Sequence, residues 1–212
     1  DPIRDFVPIS QFSTTGLIVA GHPRLPGKWI QELAAHAKAH PGKLNAGIPG
    51  ATGELAGDSL WAQLGIKIVN VRYKGSAPSI VGLISGEVQV LFTSIPAGLG
   101  QVRAGRMRAL AVSTIKRSSA MPDVPTIDES ALKGYDAASW YGLFMPAGAP
   151  KEAINKVSQA VVKVMKTPDV RKQFINDGFD PVGLTPDEFA KYLREEIVKW
   201  DKIIKASSIK PQ

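Results

Sequence analysis

Through the first two-thirds of the chain, unbroken apolar runs alternate with stretches whose apolar residues recur at helical spacing. "GLIVAG" (16–21) is apolar throughout, as a strand buried on both faces must be. "PGKWIQELAAHAKAHPGK" (26–43) instead places Ile30, Leu33, Ala34 and Ala37 on one helical face, and Pro41-Gly42 ends it. The exchange continues with a strand and loop in "LNAGIPG" and a helix in "ATGELAGDSLWAQLG" that closes at Gly65. "IKIVNVRY", "VQVLFTS" and "MRALAVST" read as strands, separated by helices in "SAPSIVGLISGE" and "PAGLGQVRAGR". Such alternation predicts an α/β fold.

The texture then changes. "KRSSAMPDVPTIDESALKGYD" is rich in turn residues and is expected to cross the surface, and "ASWYGLFMPAG" follows as a strand. Residues 150–206 read almost entirely as helix. Pro150 opens one helix with Ile154, Val157, Val161 and Val164 on a face, and "TPDVRKQF" opens a second with Thr167 as cap and Pro168 in the first position. A third starts at "TPDEF", where Thr185 and Glu188 fit a capping box. Its buried face is Phe189, Tyr192, Leu193, Ile197, Trp200, Ile203 and Ile204. These helices have apolar stripes to cover but only about one strand of their own. The expected organisation is therefore a connecting segment or remnant at 1–16, a βα domain at 17–138, and a strand plus helices at 139–212 that form half of a second domain.

A chain of 212 residues with 44% hydrophobic content buries a sizeable core. Its net charge of +7 is compatible with nucleic acid, anionic surfaces or acidic small molecules. Nucleic acid is not favoured, because the densest cations (Arg103, Arg106, Arg108, Lys116, Arg117) lack interleaved aromatics. The absence of cysteine removes disulfides and thiolate chemistry, and no apolar run reaches membrane-span length. The opening "DPIRDF" has neither Met nor a signal-peptide pattern, so a processed or cut product is expected.

Catalytic motifs find little support. Glu32, His36 and His40 stand at metal-ligand spacing on one helix, but they also describe the polar face opposite Ile30, Leu33 and Ala37, which is the favoured reading. "GDSLW" lacks the second glycine of a nucleophile elbow, and the adjacent carboxylates Asp128/Glu129 and Glu195/Glu196 do not converge. No cofactor, metal or enzymatic activity is expected.

What remains is a repeated theme. "GIPGATG" (47–53), "YKGSAP" (73–78) and "FTSIPA" (92–97) are all strand-to-helix junctions built of small and hydroxyl residues. A free helix N-terminus offers unpaired N–H groups and partial positive charge, and ligands of open α/β sheets bind where such junctions cluster. Several helix N-termini are expected to converge on one small anion.

The segments "PGKLN", "YKGSAPSI", "GEVQVLFTSIPA", "VRAGRMRALAVST", "KRSSAMPDVPTIDES", "SWYGLFMPAGAPKEAI", "PVGLTPDEFAKYLREEIVKW" and "IIKASSIK" resemble, in order, the substrate-binding proteins of tripartite tricarboxylate transporters, the Bug (TctC-like) family. The resemblance runs over essentially the whole chain. It implies a two-domain periplasmic binding protein of the Venus-flytrap type, with one largely complete βα domain and the helical C-terminal part of the other. The implied function is an extracytoplasmic receptor that delivers a small carboxylated metabolite to membrane permease subunits. Its location would be the periplasm, with the signal peptide outside this chain. The implied contacts are Pro49, Gly50, Ala51, Thr52, Gly53, Tyr73, Gly75, Thr93 and Ser94 on one side, with Trp140 and Tyr141 returning to the other domain near the hinge.

Two departures accompany the resemblance. The family's opening strand and Pro/Gly-rich loop would precede Asp1, so uncovered apolar faces on the first-domain remnant are expected to favour self-association. The family loop commonly reads Gly-Thr then His before Leu-Ala-Gly, whereas "GATGELAGD" is shorter and places Glu54 there. A carboxylate at that position suits an anionic ligand only if it points away. Aliphatic dicarboxylates, tricarboxylates, aromatic acids and amino acids all stay open as ligands. The alternative function is a ligand-sensing or signalling domain of the same fold. A transcription regulator would need a helix-turn-helix segment, which the sequence lacks.

Overall fold

The computed structural model describes residues 2–206; the end of the "IIKASSIK" resemblance, 207–210, lies outside the described residues. One helical turn, α1 (Pro2–Asp5), leads into β1 (Phe6–Thr15), and after Gly16 the chain continues as β2 (Leu17–Gly21). Alternation then follows as the apolar pattern predicts: α2 (Ile30–Ala39), β3 (Asn45–Ile48), α3 (Ala51–Leu64), β4 (Val69–Arg72) and α4 (Ser76–Ser85). After β5 (Val90–Ser94), α5 (Ile95–Arg103) and β6 (Arg108–Val112), a short α6 (Ile127–Ser130) sits inside the turn-rich stretch. The described residues end with β7 (Ser139–Pro146), α7 (Lys151–Met165), α8 (Pro168–Asn176), the two-residue β8 (Asp180–Pro181) and α9 (Pro186–Ala206).

The strands form two sheets. The larger has the order β4-β3-β5-β2-β6, with β3 parallel to β4 and β5, and β2 antiparallel to both its neighbours. It is covered on both faces, which is why its central strands are mostly apolar. Val19, Val90 and Phe92 face a core with Leu33, Leu60 and Trp61, while Ile18, Ala20 and Leu91 face another with Leu83, Ile95 and Leu99. Phe92 and Leu91 have no exposed surface. Burial of each contributes about 1.5–3 kcal/mol.

The smaller sheet is antiparallel, with the order β7-β1-β8. Within 1–16, where a connecting segment or a remnant is expected, the chain forms β1, the central, ten-residue strand of this sheet. Its signal is masked in the sequence. The pairing with β7 is interrupted between Pro8 and Ser10 and between Gln11 and Ser13, and four buried positions are polar. Two of those side chains are satisfied by distant partners: Ser10 Oγ donates to Leu184 O at 2.7 Å and Thr15 Oγ1 to Gly178 O at 2.9 Å.

Helix starts show the same mixture. The Thr185–Glu188 capping box is present, with the Thr185 N–H donating to Glu188 Oε2 at 2.8 Å and the return bond at 3.5 Å. A second box, Thr126–Glu129, starts α6 and went unread in the turn-rich segment. Thr167, expected to cap α8, makes no capping bond; its hydroxyl donates back to Lys163 O at 3.4 Å.

The two sheets share a crossover held by one residue. Ser113 is fully buried just past β6; its Oγ accepts from Leu17 N at 2.8 Å and donates to Ala137 O at 2.7 Å. The chain therefore enters the larger sheet and leaves it at neighbouring points. On one side of this crossover α9 lies along both units: Phe189 packs on Gly142 of β7, while Lys199 pairs with Asp136 at 3.0 Å and Trp200 packs on the larger sheet's core.

Candidate functional site: three helix starts on one sheet edge

Because β4, β3 and β5 are neighbouring parallel strands, their carboxyl ends at Arg72, Ile48 and Ser94 lie side by side. Each is followed closely by a helix, so the N-termini of α4, α3 and α5 point at one edge. None of the three carries a side-chain capping bond, unlike α6 and α9. Their dipoles add positive potential there, but the starts are not alike: at α5 the Ile95 N–H donates to Gly16 O at 3.0 Å and Pro96 has none, so its free N–H groups begin no earlier than Ala97.

The residues at the starts fit this role. Gly50, N-cap of α3, has extended backbone, and a Cβ on it would meet nothing within 4 Å. Gly75, N-cap of α4, has φ +104, a conformation that keeps the approach bare and that side chains rarely adopt. Ala51 and Thr52 are exposed, Pro49 is half-buried, and Gly53 is buried, where a Cβ would stand 3.4 Å from Phe92 O. Gly53 is thus a packing position that lets α3 lie close on β5. Ser94 is the N-cap of α5 and is partly exposed.

Thr93 is the most informative side chain. It is fully buried at the end of β5, its methyl faces α5 beside Gly98, and its Oγ1 has no partner among the described residues. A buried hydroxyl without a partner is costly and rare.

Tyr73 is at the junction by its backbone alone, its N–H donating to Ile48 O at 2.9 Å. The ring turns into the core, where it lies over Gly47 and directly against Gly82, so its side chain does not face the helix starts as the sequence reading expected. Burial, with help from Glu87, pushes the phenol pKa up. Trp140 and Tyr141 lie in the other sheet, on opposite faces. Trp140 packs edge-on against Phe189 and Tyr192 of α9. Tyr141 packs on Phe12 and Phe179. The structure thus brings the 49–53, 75 and 93–94 positions to one edge and does not bring the Trp140 ring with them.

Glu54 points away from the opening. Its carboxylate accepts from Arg72 Nη2 at 2.6 Å and Nε at 3.0 Å, and this contact raises the Arg72 pKa. One turn later Asp58 accepts from Asn70 Nδ2 at 2.6 Å, so the acidic stripe of α3 faces β4. Burial pushes the Asp58 carboxyl above its usual range. The sequence reading missed Arg72 as a partner; the signal was the strand that follows α3 and returns parallel beside β3.

Elsewhere, Glu32 accepts the Lys28 N–H at 2.6 Å at the start of α2, while His36 and His40 stack with ring centres 4.6 Å apart. Among the described residues no cluster of three or more His, Cys, Asp or Glu is placed to hold a metal, and no helix is long and apolar enough to cross a membrane.

Residues 1–209 match the model of the tripartite tricarboxylate transporter family receptor, TctC. The chain belongs to this family. A Pseudomonas sp. (strain P51) relative, the UPF0065 protein in the tcbD-tcbE intergenic region, is 32% identical over 207 residues, which is 95% of this chain and 61% of the relative. The R. palustris protein Rpa4515, solved with adipate, superposes with a TM-score of 0.88 at 30% identity over 100% of this chain and 72% of that one. MatC from Rhodopseudomonas palustris, solved with bound malate, gives 0.78 at 25% identity over 96% and 71%. This TctC-family chain therefore spans about three-fifths of the curated relative's length. It shares the periplasmic binding protein fold expected from sequence, and its family and structural neighbours are solute-binding proteins, not enzymes.

Proposed function

We propose that this chain is the ligand-recognising part of an extracytoplasmic receptor. It binds a small carboxylated metabolite at the α3, α4 and α5 starts and presents it to the permease subunits of a tripartite tricarboxylate-type transporter in the periplasm. The observation that carries the reading is the set of three uncapped helix starts on one sheet edge, beside the unpartnered hydroxyl of Thr93. Open N–H groups and a hydroxyl donor suit a carboxylate, and the acid in the first turn of α3, Glu54, is engaged by Arg72. Adipate and malate in two solved relatives support a carboxylate as the ligand class.

The test is thermal unfolding against a panel of mono-, di- and tricarboxylates that includes adipate and malate. A ligand at one hundred times its dissociation constant adds about 2.7 kcal/mol. At roughly 2–4 °C per kcal/mol for a chain of this size, that is a rise of several degrees. A cooperative melt that no acid shifts would refute the reading for this chain.

A further inference from the structure

The start of α5 is not held by its own sheet alone. The corner between α8 and β8, residues 177–179, reaches across from the smaller sheet and rests on it. Gly178 is buried with φ +90, and a Cβ there would fall 2.9 Å from Pro96 N, 3.0 Å from Pro96 Cα and 3.1 Å from the Ile95 side chain. Two of these three neighbours are backbone atoms of the first turn of α5, which have no rotamer by which to retreat. The corner is itself anchored, since Thr15 Oγ1, at the end of β1, donates to Gly178 O at 2.9 Å.

Two further bonds bracket that contact on the larger-sheet side. Arg103, at the end of α5, donates to Asn176 O at 3.4 Å, and Asp180 Oδ1 accepts from Ser119 N at 2.9 Å. Phe179 packs against Tyr141 of β7 at 5.5 Å between ring centres. Residues 176–180 therefore touch α5 at both ends, the loop after β6, and the ends of β1 and β7.

We propose that Gly178 is a positioning residue: the 177–179 corner sets where α5 begins, and with it the direction of the N–H groups and the Thr93 hydroxyl at the candidate site. Only glycine permits the corner to approach the α5 backbone this closely in this conformation. A displacement of the smaller sheet relative to the larger one is delivered to the ligand site through this contact. The part concerning ligand rests on the receptor function proposed above.

Three variants separate contact from strain. Gly178→Ala adds a methyl against Pro96. Gly148→Ala has the same backbone penalty, at φ +87, with nothing within 4 Å, so it reports the conformational cost alone. Thr15→Val releases the corner without a clash, and it remains informative if Gly178→Ala does not fold. Each is followed by the backbone amide chemical shifts of residues 97–99 and by titration with adipate. The expected result is that Gly178→Ala and Thr15→Val move those amides and weaken adipate binding about tenfold, while Gly148→Ala does neither. Amides that stay put in both corner variants would overturn the proposal, as would moved amides with wild-type adipate affinity. If the amides move but the unaltered chain binds no carboxylate, the receptor reading falls and the positioning of α5 stands.

Discussion

Replacing Thr93 with valine exchanges a hydroxyl for a methyl group at a position with no exposed surface. The backbone, the branched shape and the contact with α5 are all retained, so the substitution isolates the Oγ1 atom. That oxygen has no partner among the described residues. Its burial costs about 1–3 kcal/mol by the measure of protein substitutions, so T93V should be the more stable protein. Taking the lower end, the melting temperature rises by about 2–4 °C. If the hydroxyl serves a bound carboxylate, the same change removes a hydrogen bond to a charged group. That is a loss of about 1.5–3 kcal/mol, or roughly 10- to 100-fold in affinity. Differential scanning fluorimetry gives the first number, and calorimetric titration with adipate and malate the second. The two effects have opposite sign, which a general packing defect does not produce. A T93V protein that melts lower, or that binds these acids as tightly as before, would refute the reasoning.

Glu54→Gln removes a negative charge from the first turn of α3, and carboxylate affinity should rise roughly two- to fivefold at low salt and return toward the original value at high salt; unchanged affinity at both would place Glu54 outside the ligand's field. Asp128 is held below the usual carboxylate range by the Lys133 ammonium and the Gly134 N–H, so it contributes stability above its unfolded pKa, about 3.9, that is lost as pH falls through the folded value. Asp128→Asn should be less stable at neutral pH, and the gap should close on acidification below about pH 4 in denaturant melts; a gap independent of pH contradicts this. We also propose that the open edge of β7, with Tyr141, Leu143 and Phe144 exposed, drives self-association. Phe144→Lys should shift sedimentation toward the monomer, and an unaltered distribution would locate the contact elsewhere.

The apolar pattern was enough to read the larger sheet, because its central strands are buried on both faces and its helices pack by single stripes. Val90–Ser94 and Ala51–Leu64 needed no information from elsewhere in the chain. β1 was hidden for the opposite reason. Ser10 and Thr15 look like connector residues until Leu184 O and Gly178 O, more than 160 positions away, supply their acceptors. The site divides along the same line. The helix starts at 49–53, 75 and 93–94 are local features of strand-to-helix turns. The direction of a side chain is not: the Tyr73 ring goes where Gly47 and Gly82 leave room, and nothing near position 73 announces it. For Trp140 and Tyr141 the alternation of a strand already dictates opposite faces, so they were never a pair.

The Ser113 node has a consequence for how the chain assembles. β1 is made early, yet its long partner β7 begins only at Ser139, with the entire larger sheet between them. Closing so long a loop from an unfolded chain is entropically expensive. Once residues 17–137 have folded, Ser113 holds Leu17 and Ala137 through its hydroxyl and its backbone N–H and C=O together, and the separation in sequence collapses to a few ångströms in space. The smaller sheet then zips from a pre-closed end, as a hairpin does from its turn. On this entropic argument the larger sheet is expected to serve as the folding template of the smaller one, with β1 pairing last.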